Sequence, residues 1–173
     1  MDQPTVSEQA GVRYLHFDSP WIQGAMQLKR PDSLVLSYTE QMMAWLLFLQ
    51  PLPEQMIGQL GLGAGSITRF CYRHLPNPLV VVERNPGVIR ICEQYFRLPR
   101  HTRLRVFRED AESWVKNPIN FQTLSVLMVT QTAPTSVVCP AYRTEHWASV
   151  GACASAVLPA NRLLIRRRAA RAV

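Results

Sequence analysis

The sequence predicts an α/β fold: a parallel sheet with helices between its strands, and a small β-layer ahead of it. Three observations carry this. Between Met56 and Val129, short apolar runs alternate with helix-length segments at the spacing of βαβ units. One of these runs, Leu79-Val80-Val81-Val82, is apolar throughout, as a strand covered on both faces must be. From Val12 to Leu36 the apolar residues are scattered and punctuated by Pro20, Gly24 and Pro31-Asp32, which suits small antiparallel strands.

Residues 1–11 are polar and read as a frayed end. Val12, Tyr14 and Phe17, then Trp21-Ile22-Gln23 and Leu34-Val35-Leu36, have the short pattern of strands. Tyr38 to Leu49 reads as a helix, with Met42, Met43, Leu46, Leu47 and Phe48 on a broad apolar face, stopped by Pro51-Leu52-Pro53. Met56 to Leu60 is a buried strand, Gly61 to Gly65 a glycine-rich turn, and Ser66 to Arg73 a helix. The second strand, Leu79 to Glu83, leads into a helix from Pro86 to Phe96, with proline suited to its first turn. Leu104 to Phe107 is the third strand, Asp110 opens a short helix through Trp114, and Ser125 to Val129 is the fourth strand.

Beyond Val129 the character changes. From Thr130 to Val173 there is one acid and no lysine, and the sequence drifts toward Ala, Val, Pro, Ser and Arg. Only Ala156–Leu158 or Leu163–Ile165 suggests an element. A short variable subdomain and a departure from the ancestral reading frame near Val129 explain this equally well. The expected organisation is an N-terminal β-strand region at 1–37, a nucleotide-binding domain at 38–129 and an atypical basic tail at 130–173.

At 173 residues with 47% apolar and 18% charged residues, the chain is long and apolar enough for a packed core. Its longest uninterrupted apolar run, Met42 to Leu49, is far short of the ~20 residues that cross a bilayer. The N-terminus has neither the basic nor the apolar region of a signal peptide, so the cytoplasm is expected. Cys71, Cys92, Cys139 and Cys153 form no CxxC pair, and no metal is expected. The net charge of +7 is uneven. Residues 1–116 hold 13 Lys/Arg against 11 Asp/Glu, whereas 117–173 hold 6 Arg against Glu145 alone. Arg162, Arg166, Arg167, Arg168 and Arg171 cluster at the end without aromatic residues to stack bases. A solvated tail explains them better than nucleic-acid binding.

Three elements carry chemistry. Gly61-Leu62-Gly63-Ala64-Gly65 joins a buried strand to a helix; glycines permit a sharp turn and a close ligand approach, and the helix start offers amide donors. Glu83 ends the next strand, 22 residues after Gly61, the distance at which an acid reaches ribose hydroxyls in nucleotide folds. Glu109-Asp110-Ala111 follows the third strand, where Asp110 could accept from an adenine amino group and Ala111 could offer its amide to a ring nitrogen. A helix cap is the plainer role for Asp110, and both can hold at once. With Ser66 in place of the last glycine, the dinucleotide fingerprint is not met, which favours an S-adenosylmethionine-type ligand over NAD. The loop, Glu83 and Asp110 are expected to converge on one adenosine-sized hollow.

From about Arg13 to Val129 the sequence resembles the polyamine aminopropyltransferases, the spermidine synthase family. The resemblance rests on Trp21-Ile22-Gln23, Tyr38-Thr39-Glu40-Gln41-Met42-Met43, Gly61 to Gly65, Val82-Glu83-Arg84-Asn85-Pro86 and Glu109-Asp110-Ala111, in family order. It implies a Rossmann-like, methyltransferase-type sheet, here incomplete, and a co-substrate that is decarboxylated S-adenosylmethionine, or S-adenosylmethionine itself. It implies that Gln23, Gly61, Gly63, Gly65, Glu83, Asp110 and Ala111 bind that nucleoside and that Tyr38 lines the channel for a polyamine such as putrescine. Family members commonly associate, which implies a homodimer. Three positions depart from the family: Ala64 replaces an aspartate that holds the donor's ammonium, Thr39 a histidine, and Thr130 the aspartate that serves as base. The departures leave catalytic residues unassigned and keep two alternatives open: an S-adenosylmethionine-dependent methyltransferase, and a non-catalytic nucleoside-binding or interaction protein.

Overall fold

The computed structural model describes residues 3–18, 21–121 and 124–129, together with two backbone strands at 153–157 and 162–166. Three strands, β1 (Pro4–Gln9), β2 (Val12–Phe17) and β3 (Ile22–Gln27), form an antiparallel sheet in the order β1-β2-β3. Residues 4–9 are therefore a paired strand and not the frayed end expected. Ala10 (φ 49°) and Gly11 (φ 78°) both take left-handed backbone, the conformation a two-residue hairpin needs to match strand twist. Opposite Glu8 in register, Arg13 pairs with its carboxylate and donates onward to the Tyr95 carbonyl, which ties the hairpin to the neighbouring helix.

The second sheet contains β4 (Met56–Leu60), β5 (Leu79–Val82), β6 (Leu104–Phe107) and β7 (Leu124–Val129), parallel in the order β6-β5-β4-β7. Two further strands extend it, β9 (Arg162–Arg166) antiparallel to β7 and β8 (Cys153–Val157) antiparallel to β9. The remaining tail lies outside the described residues. Helices α2 (Ser66–His74), α3 (Pro86–Tyr95) and α4 (Ala111–Lys116) connect the parallel strands. Asn85 caps α3 by accepting from the Gly87 amide at 2.9 Å, and Pro86 occupies its first turn.

The helix expected over Tyr38–Leu49 is shorter: α1 (Ser37–Met42) gives way to a 3-10 turn at Met43–Leu47. Met42, Met43 and Trp45 are buried, but Leu47 and Phe48 are exposed, because the tighter turn rotates them off the core face. Leu34-Val35-Leu36 forms no strand; β3 has already ended, and Leu34 instead packs beside Met42, Trp45 and Ile57. Leu15 and Met26 of the antiparallel sheet share a cluster with Leu62, Ala64, Val81, Val88, Cys92 and Phe96, so β2 and β3 press on the glycine turn and α3. That contact positions the candidate site.

Candidate nucleoside site

Gly61, Gly63 and Gly65 all have left-handed backbone, at φ of 84°, 55° and 69°. A side chain would be strained at each. The turn between them is held by its neighbours. The Gly61 carbonyl accepts from Gln59 Nε2 at 2.7 Å, the Gly63 carbonyl from Cys92 Sγ at 3.0 Å, and the Ala64 carbonyl from Arg69 Nη1. Two of its amides are held as well: Gly61 donates to the Val82 carbonyl at 2.8 Å and Gly65 to the Leu62 carbonyl at 2.9 Å. Burial pushes the Cys92 thiol up to about 12, so Cys92 serves here as a neutral donor.

Glu83 sits just beyond β5, 8% exposed. Its Oε2 accepts the Leu62 amide at 2.9 Å and its Oε1 the Asn85 amide at 2.8 Å. The carboxylate thus joins the glycine turn to the start of α3. A carboxylate has about four acceptor positions, so two protein amides leave room for ribose hydroxyls.

Strand β3 closes over the turn from the other side. A Cβ on Gly24 would lie 2.5 Å from Ala64 Cβ and 2.8 Å from the Ala64 nitrogen, so the two chains touch where neither has a larger side chain. Ser66 Oγ donates to the Ala25 carbonyl at 2.7 Å. A Cβ on Gly63 would meet the Gln23 carbonyl oxygen at 3.7 Å and nothing nearer, which leaves the cradle expected of a loop that a ligand approaches. The Tyr38 hydroxyl donates to that same Gln23 carbonyl at 3.4 Å, and burial raises its pKa. Gln23, Tyr38, Gly61, Gly63, Gly65 and Glu83 therefore stand together.

Asp110 and Ala111 stand apart from that cluster, one strand over. The Glu83 amide donates to the Phe107 carbonyl at 2.9 Å, which keeps the ends of β5 and β6 adjacent. Asp110 is exposed and caps α4, its Oδ1 accepting from the amides of Glu112 at 2.9 Å and Ser113 at 3.3 Å. Ala111 packs against the core cluster that includes Leu60, Val80, Val82 and Trp114. Thr130 lies outside the described residues. Among the described residues no group of three His, Cys, Asp or Glu forms a metal site, and no helix is long and apolar enough to cross a membrane.

Sequence reasoning missed the side chains that hold the turn. Gln59, Thr68 and Arg69 are buried polar residues among apolar ones. A glutamine inside the run Met56–Leu60 was the visible signal. An open cavity of about 360 Å³ lies at the opposite, amino edge of the sheet, lined by residues including Met56, Leu79, Val80, Arg103 and Arg105, and contains none of the candidate residues.

No family model matches the chain. It is 40% identical over 113 residues to the polyamine aminopropyltransferase of Neisseria meningitidis, covering 64% of this chain and 43% of that protein. It is 41% identical over 100 residues to the polyamine aminopropyltransferase of Chromobacterium violaceum, covering 57% of this chain and 38% of that one. The chain spans less than half the length of these curated relatives. Among solved structures, a probable spermidine synthase from Corynebacterium glutamicum aligns with a TM-score of 0.60 at 16% identity, over 73% of this chain and 59% of that one. Human methyltransferase-like protein 13, solved in complex with SAH, aligns with a TM-score of 0.55 at 15% identity, over 79% of this chain and 84% of that one. Over the residues it shares with them the chain is thus similar to the polyamine aminopropyltransferases, and its fold is that of spermidine synthases and Rossmann-like methyltransferases.

Proposed function

We propose that the chain is a spermidine synthase-like aminopropyltransferase unit that binds decarboxylated S-adenosylmethionine, or S-adenosylmethionine, together with a polyamine such as putrescine. The observation that carries this reading is the buried carboxylate of Glu83, hydrogen-bonded to the Leu62 amide of the glycine turn, with the Gln23 carbonyl beside the same turn and the Tyr38 hydroxyl on that carbonyl. In this reading Glu83 accepts from the ribose hydroxyls, Gly61, Gly63 and Gly65 let the nucleoside lie against main chain, Gln23 borders the nucleoside and the amine, Tyr38 lines the amine channel, and Asp110 with the Ala111 amide meets adenine through Oδ2 while Oδ1 caps α4.

Transfer itself is a displacement: the diamine nitrogen attacks the carbon beside the sulfonium, the carbon–sulfur bond breaks, methylthioadenosine leaves, and the nitrogen gives up a proton to a base. The sulfonium supplies its own activation. A threonine at 130 cannot be that base near neutral pH, and Ala64 carries no charge to hold the donor's ammonium. These two positions favour a second reading, a non-catalytic protein with a nucleoside site. Ala64 also fits an S-adenosylmethionine-dependent methyltransferase.

Incubation with putrescine and decarboxylated donor, followed by detection of methylthioadenosine, tests transfer. Product at the level of an authentic synthase supports the first reading. Nucleoside binding without product supports the non-catalytic one, and tighter binding of the intact donor favours methyl transfer.

A further inference from the structure

Two polar side chains occupy places in the core where apolar ones would pack as well. Gln59 lies next to the last residue of β4 at 3% exposure, and Thr68 on α2 at 1%. Burying such groups is unfavourable unless their hydrogen bonds are met. Here they are met in a single chain of contacts. Thr68 Oγ1 donates to Gln59 Oε1 at 2.8 Å, and Gln59 Nε2 donates to the Gly61 carbonyl at 2.7 Å. The peptide group is planar, so the Gly61 carbonyl and the Leu62 amide point in opposite directions. Holding the carbonyl toward β4 and α2 turns the amide away from them, where it donates to Glu83 Oε2 at 2.9 Å. The chain that begins at Thr68 ends on the candidate ribose acid.

We propose that Gln59 and Thr68 are positioning residues: through the 61–62 peptide they fix the Glu83 carboxylate in the orientation that receives ribose hydroxyls. The proposal rests on the reading of Glu83 as the ribose acid. Without the pair the peptide can rotate, the Leu62 donor is lost, and the carboxylate gains freedom to swing. Contacts to the ribose hydroxyls then weaken, while those made by the rest of the turn persist.

The test is calorimetric binding of adenosine and of 2′,3′-dideoxyadenosine to the full chain, with thermal unfolding followed in parallel. The unmodified chain should prefer adenosine by about tenfold, the scale of hydrogen bonds to a charged group. Thr68→Val keeps the shape and removes the hydroxyl; it should lower that preference by about threefold or more, and Thr68→Ser should restore it. Should Thr68→Val not fold, the double variant Gln59→Leu/Thr68→Val removes both polar groups together and carries the same expectation. Equal weakening of both nucleosides, with the preference intact, would mean that the pair merely stabilises the fold and would overturn the proposal. Failure of the unmodified chain to prefer adenosine, or to bind either nucleoside, would instead remove the role of Glu83 beneath it.

Discussion

Glu83 and Asp110 follow neighbouring strands of one sheet, and the chain uses them in opposite ways. Glu83 is buried, and one of its bonds reaches an amide 21 residues earlier in sequence. Asp110 is exposed, and its bonds close on amides two and three residues ahead. The difference follows from what each strand end meets. Beyond β5 the chain passes beside the glycine turn, whose Leu62 amide gives the buried carboxylate a fixed donor. Beyond edge strand β6, Asp110 stands directly before α4, at its N-cap, and the first amides of the helix supply the donors. A strand-end acid in sequence therefore predicts a place in the fold better than it predicts a partner.

The contrast can be broken by substitution. Glu83→Ala should be the most damaging change, because it orphans two amides in a buried setting, and should lower stability by about 2–4 kcal/mol in urea unfolding. In the folded fraction it should weaken nucleoside binding by ~1–3 kcal/mol; unchanged affinity by calorimetry would show that Glu83 does not face the ligand. Gly24→Ala probes the cover over the same turn: with a Cβ placed 2.5 Å from Ala64 Cβ, β3 or the turn must shift. A loss of about 1–3 kcal/mol in thermal unfolding is expected, the range for overpacked cores. On the other side, Asp110→Ala should cost about 1 kcal/mol, the loss of one helix cap, and Asp110→Asn should recover most of it. Smallest of all is Lys116→Ala, which removes an exposed pair with Glu112 at 2.8 Å. About 0.3–0.5 kcal/mol should go, and the effect should fade in high salt. Equal penalties for Glu83→Ala and Asp110→Ala would erase the distinction between the two acids.

Much of the fold could be read before the structure. Strands β4 to β7 fall within a residue of expectation; in β4, β5 and β7 burial on both faces enforces a largely apolar run, while edge strand β6 is marked by Leu104, Val106 and Phe107 around Arg105. The cap at Asp110 was equally visible, since a cap is a local device. Strand β1 was missed because it is an edge strand with little burial, and its turn uses alanine in a left-handed conformation, which sequence patterns disfavour. The pins on the glycine turn were missed for a different reason. Cys92 lies 29 residues from Gly63 and Ser66 lies 41 from Ala25, so only the packing of α3 and β3 brings each donor to its acceptor. The same holds for Leu47 and Phe48, whose exposure depends on where α1 tightens.

Arg69 has a consequence for how any ligand would bind. Its guanidinium is buried and reaches the carbonyls of Pro31 at 2.6 Å and Phe96 at 2.8 Å as well as that of Ala64; among the described residues it has no carboxylate partner and its Nη2 no acceptor. Three separate stretches of backbone are riveted through one side chain, so the turn is immobilised before a guest arrives. Binding to such a preorganised surface forfeits little conformational entropy. Lysine, a point charge without the planar fork, could not join the same three stretches, and Arg69→Lys would turn a rigid seat into one that each ligand must first order.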